Sequence, residues 1–227
     1  MRVLLIGGTG FIGRSVAERL IAEGHTVVGL ARSDEAAAAL ESAGVQPRLV
    51  DGGLQGKPAE LVAAASGCDA AIDVAAHNFR DAIPGVQSIR AGLGKDGVFI
   101  STTGTNFYGD VPSSENDPVS EDRDFGWRPR VPESWPDELR SMMEKLAIWW
   151  PKFEASVLDA SEEAAVRTCI LRPGLVYGRG SGGIGGGVLA RLKYALTQAH
   201  VPYVNDGRSG RRGCVHVDDL ADLYLLV

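Results

Sequence analysis

The first thirteen residues, Met1-Arg2-Val3-Leu4-Leu5-Ile6-Gly7-Gly8-Thr9-Gly10-Phe11-Ile12-Gly13, decide the fold. Val3 to Ile6 is a short, unbroken apolar run, the pattern of a parallel strand buried on both faces. Glycines stand at 7, 10 and 13, and a helical pattern begins directly after Gly13. The physical reason for glycine here is close approach. A strand-to-helix turn without Cβ atoms lets a pyrophosphate sit against backbone N–H groups at a helix N-terminus, where the dipole favours negative charge. The spacing is G-x-x-G-x-x-G, and such a motif carries weight only with a strand before it and a helix after it, as here. The stretch reads as the first unit of a dinucleotide site, with Thr9, Phe11 and Ile12 completing the turn. The competing reading is a tight turn in some other doubly wound protein.

A chain of 227 residues can bury one sizeable core with a small appended part. With 44% apolar and 23% charged residues, it has the composition of a soluble globular protein. Its 29 acidic residues outnumber its 23 basic ones, and the net charge of −6 argues against nucleic acid as a partner. Cys68, Cys169 and Cys214 are odd in number and far apart, which suits reduced thiols and a cytoplasmic location. No apolar run approaches the ~20 residues needed to cross a bilayer. The opening apolar run leads straight into the glycine turn, unlike a signal peptide. Asp218 and Asp219 read as caps of a final helix. That helix ends on its most apolar residues, Leu223 to Val227, so the native chain is expected to continue.

Strands and helices alternate through the first hundred residues. Val16, Ala17, Leu20 and Ile21 have helical spacing, and Gly24 ends that helix. Thr26 to Leu30 reads as a strand, Asp34 to Ala43 as a helix, Arg48 to Val50 as a strand and Pro58 to Ala65 as a helix. A fourth strand lies within Cys68 to Ala76, a helix around Val86 to Leu93, and a fifth strand at Val98 to Ser101. This cadence predicts an α/β fold, a Rossmann-type doubly wound parallel sheet with right-handed crossovers. One nucleotide-binding domain spans residues 1–227, with 178–227 contributing to the substrate side. The segment 110–137, proline-rich and acidic, is either a solvated connector or a substrate lid. Asp137 to Leu158 reads as a helix with an apolar stripe (Met142, Leu146, Trp149/Trp150, Phe153, Val157), kinked or split at Pro151. Arg167 to Leu171 is a sixth strand, Gly178 to Gly187 a loop, Val188 to Ala199 a helix and Pro202 to Val204 a short strand.

Ligands of open α/β sheets bind outside the carboxyl ends of the strands. After the second strand, Arg32 and Ser33 suit the 2′-phosphate of NADP, while Asp34 leaves NAD open. Asp51, after the third strand, is placed to contact the adenine or simply to make a turn.

These motifs, in this order, resemble the extended and atypical short-chain dehydrogenase/reductases of the NAD(P)-dependent epimerase/dehydratase family. The resemblance rests on Gly7-x-x-Gly10-x-x-Gly13, Asp51, Asp73-Val74-Ala75-Ala76 and Ser101-Thr102-Thr103-Gly104. It extends through Tyr108-Gly109, Arg172-Pro173-Gly174-Leu175-Val176-Tyr177-Gly178 and Val215-His216-Val217-Asp218-Asp219. It implies that Ala75 and Ala76 line the cofactor and that Pro173 and Gly174 approach the nicotinamide. It also implies an oxidoreductase or epimerase acting on a small oxygenated or sugar-like substrate, with a homodimer as one option.

The family's catalytic set is a Ser/Thr after the fifth strand and Tyr-x-x-x-Lys on the next helix. Thr103 fits the first role, as the group that polarises the substrate oxygen, with Thr102 and Thr105 as alternatives. None of the five tyrosines, Tyr108, Tyr177, Tyr194, Tyr203 and Tyr224, has a lysine four residues later. Another group must supply the proton. His77 titrates in the useful range, and Tyr108 lies on the strand-five loop. A second reading keeps the cofactor and drops redox turnover, leaving a sensor or a non-redox elimination or cyclisation. His216 with Asp218 and Asp219 is too sparse a set to imply a metal, and none is expected.

Overall fold

Strand β1 (Arg2–Ile6) lies in the interior of a six-stranded sheet whose every pairing is parallel. The structure is a computed structural model and describes residues 1–75, 82–105, 137–159, 166–179 and 213–227. The other strands are β2 (Thr26–Ala31), β3 (Gln46–Leu49), β4 (Ala70–Asp73), β5 (Val98–Thr102) and β6 (Arg167–Leu171). Their spatial order is β3-β2-β1-β4-β5-β6, so the chain winds outward to one edge and then restarts on the other side of β1. Between β1 and β4 the order reverses, which is where an open sheet leaves a crevice for a ligand.

Side chains alternate across each strand. Leu4 and Ile6 face a cluster with Ala71, Phe99, Leu61, Val86, Phe153 and Val157, under α3 (Pro58–Ala65), α4 (Ile83–Leu93) and α5 (Asp137–Asp159). Val3 and Leu5 face the opposite cluster with Ile72, Ile100, Val16, Leu20 and Leu40, under α1 (Phe11–Ala22) and α2 (Asp34–Ser42). A last helix, α6 (Val217–Leu226), packs its Leu220, Ala221 and Tyr224 on that same face, beside α1. Burial on both sides explains why β1 reads as a continuous apolar run.

Several elements differ from the sequence expectation. Helix α1 begins at Phe11, so Gly13 lies inside its first turn. Strand β3 runs from Gln46 to Leu49, two residues earlier than expected, and takes in Pro47. It is an edge strand, where a residue without an N–H is tolerated. Helix α5 passes through Pro151 without a break. Of its stripe, Phe153 and Val157 are buried and Trp149 stacks on Phe153 at 4.9 Å; side chains 142, 146 and 150 lie outside the described set. Asp218 and Asp219 are not the caps of α6. The cap is His216, whose Nδ1 accepts from the Asp218 N–H at 3.3 Å, and the acids occupy the first turn, where the helix dipole favours them. A short parallel pair, β7 (Leu175–Tyr177) and β8 (Cys214–His216), was not foreseen as strand. No disulfide joins Cys68, Cys169 or Cys214, and no described helix is long and apolar enough to cross a membrane.

Tyr224 ties α6 to the sheet. Its hydroxyl lies 2.5 Å from Thr102 Oγ1, and the ring is 3% exposed. Burial pushes the phenol well above its ordinary range, against a smaller lowering by the Thr102 hydrogen bond. A raised folded-state value means stability that is full below the unfolded value of about 10 and lost as pH climbs through the folded one. Tyr224→Phe is therefore expected to lose about 1 kcal/mol in urea unfolding at neutral pH, because Thr102 is stripped of its partner. The deficit should shrink above a pH of about 10, since only the wild-type unfolded chain gains by ionising. A deficit that stays constant into that range would contradict the assignment.

Candidate functional site

All six strands are parallel, so their carboxyl ends share one edge and the loops after them meet there. The centre of that edge is the glycine turn. Gly7 has φ +87°, and a Cβ on it would lie 2.9 Å from the Ala75 backbone across the β1–β4 crevice. Gly13 is the tightest point: a Cβ there would sit 2.1 Å from the Gly7 carbonyl oxygen and 2.7 Å from Gly8 Cα. Helix α1 can thus lie directly against the turn only because residue 13 has no side chain. Gly10 is different. It is the N-cap of α1 and is exposed, and a Cβ on it would meet only the Gly7 oxygen at 3.1 Å.

The N-terminus of α1 is electrostatically open. It has no side-chain cap and no acidic residue in its first turn. Helix α2 contrasts with it. There Ser33 accepts from the Ala36 N–H at 3.3 Å, and Asp34 and Glu35 occupy the first turn. Glu35 titrates below the ordinary carboxylate range through its own backbone N–H and then the Ser33 hydroxyl. One helix is capped by its own sequence; the other presents its free N–H groups and positive end to whatever binds. Thr9 is exposed and Phe11 and Ile12 are half-buried beside it, and a groove of about 340 Å³ lined by Thr9, Phe11, Arg14, Ser15, Glu18 and Arg179 adjoins them. The turn fits a dinucleotide pyrophosphate: bare backbone, open space at Gly10 and no acidic residue in the first turn of α1.

The flanking expectations fall around the same edge. Arg32 is exposed at the end of β2, its Cβ 3.9 Å from where a Gly53 side chain would begin, so it stands beside the exposed Asp51–Gly53 turn. Ser33 is committed as the cap of α2, with its lone pair on Ala36 and its hydroxyl towards Glu35. Ala75 is half-buried after β4 and gives its N–H to Asp73 Oδ1 at 3.1 Å. Pro173 accepts from the Thr105 N–H at 3.2 Å, which brings the loops after β5 and β6 together. Gly174 is pressed against the Gly213 backbone, where its missing Cβ makes room for the chain entering β8. Ala76, His77, Tyr108 and the acidic segment as far as residue 136 lie outside the described residues, as do 180–212 with the expected helix and short strand.

Thr103 occupies the expected place after β5 and is half-buried. Its surroundings hold what the sequence reading missed. Its hydroxyl donates to Glu154 Oε1 at 2.5 Å. Glu154, on α5, is 1% exposed and forms a buried ion pair with Arg172, with Nη2 2.5 Å from Oε2 and Nε 3.1 Å from both oxygens. The signal for Glu154 was present: it is an acid between Phe153 and Val157, within an otherwise apolar helix face.

Two family models cover most of the chain. Residues 7–124 match a model described as NAD(P)H-binding, and residues 152–227 match the NAD dependent epimerase/dehydratase family. The chain belongs to the NAD(P)-binding epimerase/dehydratase family. An uncharacterized protein of Saccharomyces cerevisiae is 29% identical over 238 residues, covering 100% of this chain and 70% of that protein. The fold is shared with a Thermus thermophilus UDP-glucose 4-epimerase solved with NAD, at a TM-score of 0.63 and 23% identity over 100% of this chain and 74% of that one. It is shared equally with a yeast methylglyoxal/isovaleraldehyde reductase complexed with NADPH, at a TM-score of 0.64 and 16% identity over 100% and 73%. One of these structures holds NAD and the other NADPH, so the shared fold does not by itself set which of the two is bound.

Proposed function

We propose that this protein is an NADP-dependent oxidoreductase of the epimerase/dehydratase type, acting on a small oxygenated substrate that carries a hydroxyl or carbonyl group or is sugar-like. The observation that carries the reading is the uncapped, acid-free N-terminus of α1 above the Gly7–Gly13 turn, at the β1–β4 reversal. When bound there, the nicotinamide would supply hydride transfer. The chain's own part is to hold the phosphates at Thr9 to Phe11, to place Thr103 against the substrate oxygen, and to provide a proton from the strand-four or strand-five loops, where His77 and Tyr108 are the candidates. Purified protein that shows no NADPH binding by calorimetry or fluorescence would end this reading.

The preference for NADP rests on Arg32. No carboxylate pairs with it among the described residues, and the neighbouring Ser33 is occupied as a cap. A guanidinium at this place would meet the 2′-phosphate, and a charge-assisted contact of that kind contributes about 1.5–3 kcal/mol. Arg32→Ala is expected to weaken NADPH binding by roughly 10- to 100-fold and to leave NADH unchanged. Wild-type protein that binds NADH more tightly than NADPH would reverse the assignment.

A further inference from the structure

The Thr103–Glu154–Arg172 cluster fixes the direction of one hydrogen bond in the site. We infer that Thr103 acts on the substrate as a hydrogen-bond acceptor, so that the position beside it selects an alcohol, or another group bearing an O–H, over a carbonyl. The inference rests on the cofactor reading of the same site and specifies what lies next to the nicotinamide.

The number of protons available sets the direction of that bond. A carboxylate has no proton to give, and Glu154 is held as a carboxylate by Arg172 across three contacts of 2.5–3.1 Å. A threonine hydroxyl has one proton and two lone pairs. That proton points to Glu154 Oε1 at 2.5 Å, a charge-assisted bond of the strong class. Turning it towards a neutral carbonyl would exchange that bond for a weaker one. Among the described residues it would also leave Oε1 with only the 3.1 Å Arg172 contact in a site 1% exposed, where an under-satisfied charged oxygen is costly. The Thr103 N–H is given to the Leu171 oxygen at 2.9 Å and the Thr105 N–H to the Pro173 oxygen at 3.2 Å. What half-buried Thr103 presents to a ligand is a pair of lone pairs that no donor among the described residues uses. Glu154 is a positioning residue: it does not touch the ligand but decides which way Thr103 faces.

This reverses the role that the family resemblance suggests for Thr103, which is donation to a substrate oxygen. A negative charge developing on that oxygen needs a donor from elsewhere in the site.

The test uses the full chain and two probes of opposite polarity. Trifluoroethanol is titrated in the presence of NADP+, and N,N-dimethylisobutyramide, a carbonyl acceptor with no N–H, in the presence of NADPH. Thr103→Val is expected to weaken trifluoroethanol about tenfold and to leave the tertiary amide unchanged, with Thr103→Ser restoring the wild-type pattern. Equal weakening of both probes, or selective weakening of the tertiary amide, would overturn the inference. A second measurement needs neither probe nor cofactor. In proton NMR of the free protein, a downfield, slowly exchanging hydroxyl resonance should be present in wild type and in Thr103→Ser and absent in Thr103→Val. Its absence from wild type overturns the inference even where no probe binds. Failure to bind NADPH would instead remove the cofactor reading and leave this resonance untouched.

Discussion

Gly13→Ala is expected to destabilise the protein by about 3 kcal/mol and to abolish NADPH binding with it. Alanine is the better helix former by up to about 1 kcal/mol, and residue 13 lies in α1, so propensity alone predicts a gain. The clash outweighs it. The new methyl would lie 2.1 Å from the Gly7 oxygen, 2.7 Å from Gly8 Cα and 2.8 Å from the Gly7 carbonyl carbon, all backbone atoms with no rotamer to change. Helix α1 must then move off the β1 turn, carrying its N-terminal N–H groups out of position. For a chain of this size, a melting temperature lower by about 6–12 °C would follow. Gly10→Ala provides the contrast, because its Cβ meets only the Gly7 oxygen at 3.1 Å and its φ of −78° suits any residue. That variant should stay folded with a loss of no more than about 1 kcal/mol, yet lose NADPH binding because the methyl occupies the phosphate's place. Normal NADPH affinity in Gly10→Ala would show that the phosphate lies elsewhere.

Glu154→Leu should be the most damaging single change among the charged residues. It takes the Glu154 carboxylate away from the Arg172 guanidinium, whose side chain is 8% exposed, and removing one partner of a buried pair costs about 3–5 kcal/mol. The double change Glu154→Leu with Arg172→Met removes both charges and should recover most of that loss, since apolar replacement of a whole buried pair is often neutral. Urea unfolding of the two singles and the double gives the coupling directly. If the two losses simply add, Glu154 and Arg172 do not act as a pair. An exposed pair such as Lys57–Glu60, whose side chains are 83% and 43% exposed, should show no measurable effect in the same experiment.

The alternation of short apolar runs with helical patterns was enough to place β1, β2, β4 and β5, whose burial leaves an unmistakable trace in composition, the half-buried edge strand β6 with its Cys169–Leu171 run, and the helices between them. Where the trace is weaker, the reading slipped. Strand β3 is an edge strand with three of its four residues polar or proline, and β7 and β8 are three residues each, too short for a period to register. The capping of α6 went to His216 because its ring can fold back onto the Asp218 N–H, while the acids that looked like caps sit within the first turn.

The sequence by itself determined the parallel sheet, the glycine cradle after β1 and the family, since each depends on local spacing and on residues that lack a Cβ. Only the tertiary structure decided the surroundings of Thr103. Thr103 follows β5, Arg172 follows β6 and Glu154 lies on α5, and their meeting depends on β5 pairing with β6 and on α5 packing beneath them. A hydrogen bond has a direction that depends on its partner, and no local pattern around Thr103 encodes a carboxylate brought in from 51 residues away.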